Sequence, residues 1–194
     1  MNPLHTHLAA LAAAIGPFGQ AADRLERWGG HLARVLGDGG RLLVCGNGGS
    51  AAQAQHLAAE LTGRLRDERI PLSAIALCAD SSAVTAIAND YGYEDVFARQ
   101  VLAHGRSGDV LLAMSTSGRS PNVLAAVTAA RGAGLHTWAL TGPGPTPLGE
   151  LCDETVRCPG DGQVVQELHL VAAHVICEHV DAHLRLRDDR LVAS

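Results

Sequence analysis

Residues 41–64 read RLLVCGNGGSAAQAQHLAAELTGR, and this stretch decides the fold. Its apolar run at residues 42–45 predicts a short buried strand, and the GNGGS at residues 46–50 predicts a turn into a helix that starts at Ala51. Glycines let the backbone approach a phosphate, and Ser50 can either cap the helix or bond the ligand. On the same helix, His56 and Glu60 lie four residues apart and share one face. The stretch therefore predicts a phosphate site and an acid/base pair on one helix.

Length and composition indicate a single α/β domain. The 194 residues are enough for one well-buried domain and few for two. Hydrophobic residues make up 47% of the chain and aromatic residues only 3%, so the core is built from Ala, Leu and Val. Such side chains suit helices packed closely on a sheet, which favours a helix-rich α/β fold.

The charge pattern predicts a small-molecule partner, with no nucleic acid and no membrane. The formal net charge is −5, and the arginines are scattered rather than clustered. No apolar run approaches the ~20 residues of a membrane span, and we expect no signal peptide. The cysteines are odd in number and form no Cys-x-x-Cys pair, which favours a reducing, cytoplasmic location; they are Cys45, Cys78, Cys152, Cys158 and Cys177.

Strands and helices alternate along the chain. Strands are predicted at residues 42–45, 73–77, 109–114, 136–140 and, weakly, 154–157. Helices are predicted at residues 4–15, 18–36, from 51, 80–90, 94–104, 121–131 and 161–186, with a polar loop at 66–69 and a fraying tail. This order predicts a three-layer α/β/α sandwich with a five-stranded parallel sheet, whose ligand binds beyond the carboxyl ends of the strands. The single domain, residues 1–194, would comprise a helical extension (1–40), a sheet core (41–160) and a C-terminal helix (161–186).

Two helices precede the first strand, and Gly29-Gly30 is a weak point in the second. Two interpretations of this extension remain open. Its apolar stripes can pack against another subunit, or the helices can cover the sheet of their own domain.

A second turn, STSGRS at residues 115–120, follows the third strand. It offers four hydroxyls, from Ser115, Thr116, Ser117 and Ser120, where a buried strand meets a helix N-terminus. Ser120 before Pro121 is a strong helix start, but one cap needs only one hydroxyl, so the surplus favours phosphate binding. Neither turn has the Gly-Lys-Ser/Thr of a P-loop or the spacing of the dinucleotide fingerprint, which argues against ATP and NAD.

The histidine-bearing helices remain ambiguous on spacing alone. His56 and Glu60 can be an ordinary solvated pair. In the last helix Gln166 and His174 fall on roughly one side, near His169. These residues become a candidate site only if the two helices meet.

Five separated motifs together resemble the phosphoheptose isomerase family of sugar-isomerase (SIS) domain enzymes, over essentially the whole chain. They are GNGGS (46–50), His56-x-x-x-Glu60 with LTGR (61–64), NDYG (89–92), STSGRS (115–120), and QExH (166–169) with His174. The resemblance implies a flavodoxin-like fold and interconversion of sedoheptulose 7-phosphate and D-glycero-D-manno-heptose 7-phosphate.

The resemblance also implies roles for individual residues. Glu60 would be the base and His174 the acid. The phosphate would be held by Ser50, Ser115, Thr116, Ser117 and Ser120, and the rest of the substrate site would comprise Asn47, Gly48, Gly49, Arg64, Asn89, Asp90 and Gln166. Zinc would be bound by His56, Glu60, Gln166 and His174. A homotetramer with active sites between subunits is implied as well.

The chemistry of an aldose–ketose isomerisation suits these residue types. A proton moves between adjacent carbons through an enediol, which needs one base and one group that protonates or polarises the neighbouring oxygen. Zinc would add Lewis-acid stabilisation, although glutamine is an uncommon zinc ligand.

Two alternatives stay open. The AAQAQ segment at residues 51–55 resembles that of a related SIS protein that binds the replication initiator DnaA, so a non-catalytic module that binds a sugar phosphate or a partner protein is one alternative. Retention of Glu60 and His174 favours an enzyme instead. The other alternative is an isomerase of a different phosphosugar.

Overall fold

Five parallel strands form the centre of the computed structural model, which describes residues 2–192 and the side chains as far as residue 186. The strands are β1 (Leu42–Gly46), β2 (Ala74–Ala76), β3 (Val110–Ser115), β4 (His136–Thr141) and β5 (Glu154–Arg157). The helices are α1 (Pro3–Phe18), α2 (Ala22–Gly37), α3 (Gly49–Thr62), α4 (Ser81–Tyr91), α5 (Ala98–His104), α6 (Pro121–Gly132), α7 (Pro147–Leu151) and α8 (Gly162–Val192).

The strand order is β2-β1-β3-β4-β5, and every pair is parallel, as predicted. After β1 the chain crosses to the edge strand β2 and then returns to place β3 on the other side of β1. The two loops after β1 and β3 therefore leave the sheet toward opposite faces and open a crevice at its carboxyl edge. Both predicted phosphate turns lie at this crevice.

Helices cover both faces of the sheet because side chains alternate along each strand. Leu42 and Val44 pack toward α1, α2, α3 and α8, while Leu43 and Cys45 pack toward the face covered by α4, α5, α6 and α7. These four side chains are fully buried, as expected for a parallel sheet with two covered faces.

Several predicted boundaries were wrong. The helix predicted to stop before Gly16-Pro17 continues to Phe18, because a proline in the last turn removes only one hydrogen bond and its φ suits a helix. Instead of one helix over residues 94–104, a 3-10 turn (Tyr93–Asp95) precedes α5. The C-terminal helix α8 extends to Val192, six residues beyond its predicted end, and the rest of the predicted fraying tail, residues 193–194, lies outside the described residues.

The short helix α7 was not predicted. It begins at Pro147 after Thr146, whose hydroxyl accepts the N–H of Gly149 at 3.1 Å. This hydroxyl cap with a proline at the first helical position is a recognisable sequence signal, and its five residues are too few to show helical periodicity.

The two N-terminal helices differ in how far they are buried, and only the interpretation that they cover their own domain is tested by the structure. Helix α2 covers the sheet of its own domain, where Trp28 stacks on Trp138 of β4 with ring centroids 4.7 Å apart. Helix α1 buries Ala14 and Phe18 but leaves a row of large apolar side chains exposed, namely Leu4, Leu8 and Ile15.

Gly29 and Gly30 lie where α2 crosses α8 closely, and they do not interrupt the helix, although a weak point was predicted there. Helix α2 is continuous through both residues and packs against α8 there. A Cβ atom at Gly29 would overlap the Cβ of His179, and one at Gly30 would lie 2.9 Å from Nε2 of His183. The glycines therefore let the two helix backbones approach each other.

All five cysteines are free thiols, and burial raises the pKa of Cys152, Cys158 and Cys177 to about 12. Among the helices of residues 2–192, none is both long and apolar enough to span a bilayer.

We predict that Gly29→Ala destabilises the protein, although alanine is the better helix former. Overpacking at the α2–α8 crossing should lower the free energy of unfolding by about 1–3 kcal/mol, more than the ~1 kcal/mol gained in helix propensity. Urea unfolding measures the change. Gly132→Ala in α6, where a Cβ meets nothing within 4 Å, is the matched control and should not be destabilised.

Candidate active site

The loop after β1 brings glycine backbone and a buried serine to the crevice. Gly48 is the N-cap of α3 with a positive φ of 54°, so α3 begins two residues earlier than predicted, at Gly49. Ser50, only 5% exposed, lies inside the first turn rather than at the cap. The prediction that Ser50 caps the helix is therefore wrong. The prediction that Ser50 binds the ligand stays a prediction.

The loop after β3 gathers hydroxyls around Ser115. Ser115 Oγ lies 3.3 Å from Ser120 Oγ and 3.5 Å from Ser117 Oγ, and it accepts the N–H of Gly118 at 3.1 Å. Ser120 occupies the N-cap position of α6, as predicted, but its hydroxyl faces Ser115 Oγ instead of an N–H of the helix. The hydroxyls therefore converge on a point that suits a phosphate.

Segments around β4 brace this loop. Gly142 donates its N–H to Thr116 O at 3.1 Å, and Leu148 donates to Gly118 O at 3.0 Å. Gly118 has a positive φ of 60°, and a Cβ there would overlap Thr146. The loop is thus held in shape by backbone contacts that leave its hydroxyls available to a ligand.

A reciprocal amide pair joins the two loops. The side chain of Asn47 donates to Asn122 Oδ1 at 2.9 Å, and Asn122 donates back to Asn47 Oδ1 at 2.9 Å. Asn122 lies at the start of α6 and is 2% exposed. Tyr93 also donates its hydroxyl to Asn47 Oδ1, at 3.1 Å. Asn47 thereby holds both sides of the crevice together.

Helices α3 and α8 meet at the predicted acid and base. His56 Nε2 lies 2.9 Å from His174 Nε2 and 3.4 Å from Glu60 Oε1. The Glu60 side chain is 20% exposed and that of His56 is 41% exposed, so the cluster is reachable from solvent. A hydrogen bond between two imidazole nitrogens needs one proton, so one ring donates and the other accepts.

Gln166, near the start of α8, lies against the start of α3. Its amide packs against the backbone of Gly49, where a Cβ would overlap Oε1 of Gln166. Gln53 donates its side-chain N–H to Gln166 O, which ties α8 to the first turns of α3. Gln166 thus borders the GNGGS loop.

The donor set is chemically suited to zinc, which prefers imidazole nitrogen and carboxylate oxygen. The two Nε2 atoms are 2.9 Å apart, whereas two nitrogens on one tetrahedral zinc ion would be about 3.3 Å apart. In the described part of the chain, no three His, Cys, Asp or Glu side chains already have the geometry of a metal site. The two imidazole rings must therefore move slightly apart before both can bind one zinc ion.

Three predicted substrate contacts pair with other exposed side chains. Arg64 is exposed beyond the end of α3 and pairs with Glu68 at 3.0 Å. Asn89 and Asp90 are exposed at the end of α4 and hydrogen-bond to each other at 2.9 Å. The side-chain contacts described for these three residues do not involve Glu60 or His174, and their roles stay predictions.

His169 belongs to the core. It is fully buried with Nε2 3.4 Å from Thr141 O, and Nδ1 has no partner among residues 2–192. Burial lowers the pKa of His169 to about 4, so its ring is neutral at physiological pH. His169 is therefore a core residue that packs α8 against β4.

Sequence reasoning missed Asn122 and Tyr93. Both contact Asn47 across the crevice, and Asn122 is 75 residues away from it along the chain. A polar residue directly after the helix start Ser120-Pro121 was the available signal for Asn122. Nothing in the local pattern pointed to Tyr93.

Residues 8–142 match the family model described as the SIS domain. A phosphoheptose isomerase from Streptomyces coelicolor is 59% identical over 184 residues, which is 94% of this chain and 79% of the relative. One from a Bradyrhizobium species is 50% identical over 92% of each chain.

The fold is also similar to that of a solved structure. The phosphoheptose isomerase from Neisseria gonorrhoeae superposes with a TM-score of 0.85 at 39% identity, covering 92% of this chain and 97% of the other.

We predict that inorganic phosphate raises the thermal unfolding midpoint and that Ser120→Ala abolishes this rise. Ligand that binds only the folded state stabilises it by RT ln(1 + [L]/Kd). Because the Ser120 hydroxyl caps no N–H of α6 in the described residues, the variant without phosphate should stay within about 0.5 kcal/mol of the wild type. Differential scanning calorimetry checks both statements.

Thr128→Ala removes a hydroxyl from the same helix, α6, far from the loop, and serves as the control. It should keep the full phosphate effect. An undiminished shift in Ser120→Ala would contradict the assignment of this loop.

Proposed function

Because the chain belongs to the phosphoheptose isomerase family of SIS-domain proteins, we propose that it converts sedoheptulose 7-phosphate to D-glycero-D-manno-heptose 7-phosphate. One observation carries the proposal. Glu60 and His174, from two different helices, flank His56 within hydrogen-bonding reach, at 3.4 and 2.9 Å. A solvated helix pair does not account for a histidine from a second helix.

The substrate would bind with its phosphate among the hydroxyls of Ser115, Ser117 and Ser120 and at the start of α3. Along α3 the rise from Ser50 is about 9 Å to His56 and about 15 Å to Glu60. The reacting carbons of a heptose 7-phosphate lie at the opposite end of its carbon chain from the phosphate. A phosphate held at one end of α3 therefore directs the other end of the sugar toward the acid/base pair.

The reaction exchanges two protons. The Glu60 carboxylate removes the proton from C1 of the ketose, while His174 gives a proton to the C2 oxygen, which produces the enediol. The C1 hydroxyl then gives its proton to His174, which is thereby restored, and Glu60 returns its proton to C2, which leaves the C1 aldehyde. Positioned proton transfer of this type contributes about 10²–10⁴-fold to the rate.

Zinc is part of the proposal, with His56, Glu60, Gln166 and His174 as ligands. When bound, the ion would supply Lewis-acid stabilisation of the negative charge that develops on the sugar oxygens. Supporting this, two imidazoles and one carboxylate lie side by side. A carboxylate bound tightly to zinc is a weaker base, so the two roles of Glu60 compete.

We also propose a cytoplasmic homotetramer with active sites between subunits. The exposed row Leu4, Leu8 and Ile15 on α1 is 51–60% exposed and supplies an apolar face for another subunit. In such an assembly the exposed Arg64 and Asp90 would reach a site on a neighbouring subunit. Five free thiols fit a reducing compartment.

We predict that the wild type isomerises sedoheptulose 7-phosphate and that Glu60→Gln and His174→Ala each lower kcat by about 10²–10⁴-fold. NMR in D₂O follows both conversion and deuterium incorporation at the exchanged carbon. Glu178→Gln, an exposed carboxylate on α8, is the control and should remain fully active. Assays with five- and six-carbon ketose phosphates test the alternative substrate.

Folded wild type without turnover would contradict the isomerase, and phosphate-dependent stabilisation without turnover would support the binding module. Assays after chelation and after zinc addition test the metal. Loss and recovery of activity, with zinc bound by the wild type but not by His56→Ala, would support the proposed ligand set. Full activity in metal-free protein would remove zinc from the mechanism.

We predict that Leu8→Lys lowers the oligomeric state measured by analytical ultracentrifugation and lowers activity with it. A charge placed in an apolar interface is strongly unfavourable. Leu102→Lys on α5 is the control, because this leucine is 63% exposed and Leu8 is 51% exposed. A tetramer that persists in Leu8→Lys would exclude this face as the interface.

A further inference from the structure

The loop between α3 and β2 contains one arginine, Arg69, with a largely buried side chain among exposed charged residues. Residues 66–69 were predicted to be a polar loop, and Arg66 is exposed as expected, with 75% of its side chain accessible. The side chain of Arg69 is only 9% exposed. It points inward, beneath the last turn of the helix that carries Glu60.

The Arg69 guanidinium binds the carbonyl groups at the C-terminal end of α3. Nη2 donates to Glu60 O at 2.6 Å, and Nη1 donates to Leu61 O at 2.9 Å and to Gly63 O at 3.2 Å. These carbonyls belong to the last turn, where the helix itself supplies no N–H partners and carries partial negative charge. A buried cation at this end is favourable for both reasons.

The same guanidinium is anchored to the other catalytic helix. Its Nε donates to Asp181 Oδ1 at 2.7 Å, and Asp181 lies on α8 with a side chain that is 7% exposed. Asp181 is seven residues, about two helical turns, beyond His174. One planar group with fixed donor directions therefore connects the end of α3 at Glu60 to α8 near His174.

We propose that Arg69, anchored by Asp181, is a positioning residue that sets Glu60 against His174; the inference rests on the proposed function. Arg69 binds the backbone of Glu60 and leaves its carboxylate free. A shift of this turn moves the carboxylate directly, and a misplacement of about 1 Å can cost about 10²-fold in rate. The buried pair thus acts on the chemistry without touching the substrate.

Two nearby ion pairs provide matched controls. Arg185 binds Asp67 at 2.6 Å and Arg66 binds Glu178 at 2.9 Å, so both join the same loop to the same helix. Their side chains are 47–75% exposed, and exposed pairs have little energetic effect. Variants of these exposed pairs therefore show the effect of loosening the loop alone, without loss of the buried contact between Arg69 and the carbonyls of α3.

The test compares Arg69→Lys and Asp181→Asn with Arg185→Gln in the full chain. Lysine keeps the charge but lacks the fork, and asparagine keeps the shape of Asp181 without its charge. We expect kcat to fall about 10- to 100-fold in both, with KM within about threefold of the wild type, and no change in Arg185→Gln. The phosphate-induced thermal shift should be retained, because the Ser115 loop lies at the other end of α3.

An isotope effect distinguishes positioning from general weakening of the fold. With substrate deuterated at C1, the isotope effect on kcat should increase in Arg69→Lys, since removal of this proton becomes more rate-limiting. A folded Arg69→Lys or Asp181→Asn with wild-type kcat, or a loss that only follows the fraction of folded protein, would overturn the inference. An inactive wild type would overturn the proposed function and the inference with it.

Discussion

The loops after β1 and β3 leave neighbouring strands toward opposite faces of the sheet, and the site depends on the crevice between them. In the order β2-β1-β3-β4-β5, the connection from β1 runs to one side of the sheet and the connection from β3 to the other, which opens the crevice between them. The sheet cannot close the crevice, so side chains must hold its walls at a fixed distance. Asn47 and Asn122 do so with two reciprocal hydrogen bonds between their side-chain amides. The same geometry leaves the hydroxyls around Ser115 facing the opening.

The cluster of His56, Glu60 and His174 depends on a second feature, the packing of α3 and α8 on one face of the sheet. Both helices contribute to the same hydrophobic core, which also contains Trp28 and Trp138. Small residues allow the close approach: Gly49 makes room for Gln166, and Gly29 makes room for α8 from the other side. His56 and His174 are thus brought together by apolar packing, and Arg69 ties the far end of the same helix pair.

The sequence was sufficient for the sheet and for the helices that flank the site. Long apolar runs and glycine turns located β1, β3 and β4 to within about two residues because their patterns are local. Predicted helix ends were wrong where a residue that usually ends a helix is tolerated, as at Pro17, where α1 continues. The position of two contiguous turns, residues 46–50 and 115–120, at the carboxyl edge of the sheet was predictable from the sequence, and their binding role stays a prediction. Asn122, Tyr93 and the burial of Arg69 were not predictable, because each depends on contacts between distant parts of the chain.

The stack of Trp28 on Trp138 has a practical consequence for spectroscopy. These are the only two tryptophans in the sequence, they are buried, and their rings are 4° from parallel. Trp138 lies three residues before the end of β4 at Thr141, roughly 10 Å along the strand from the crevice. Indole fluorescence and near-ultraviolet circular dichroism will therefore report whether α2 is docked on the sheet, and they will be insensitive to what occupies the crevice.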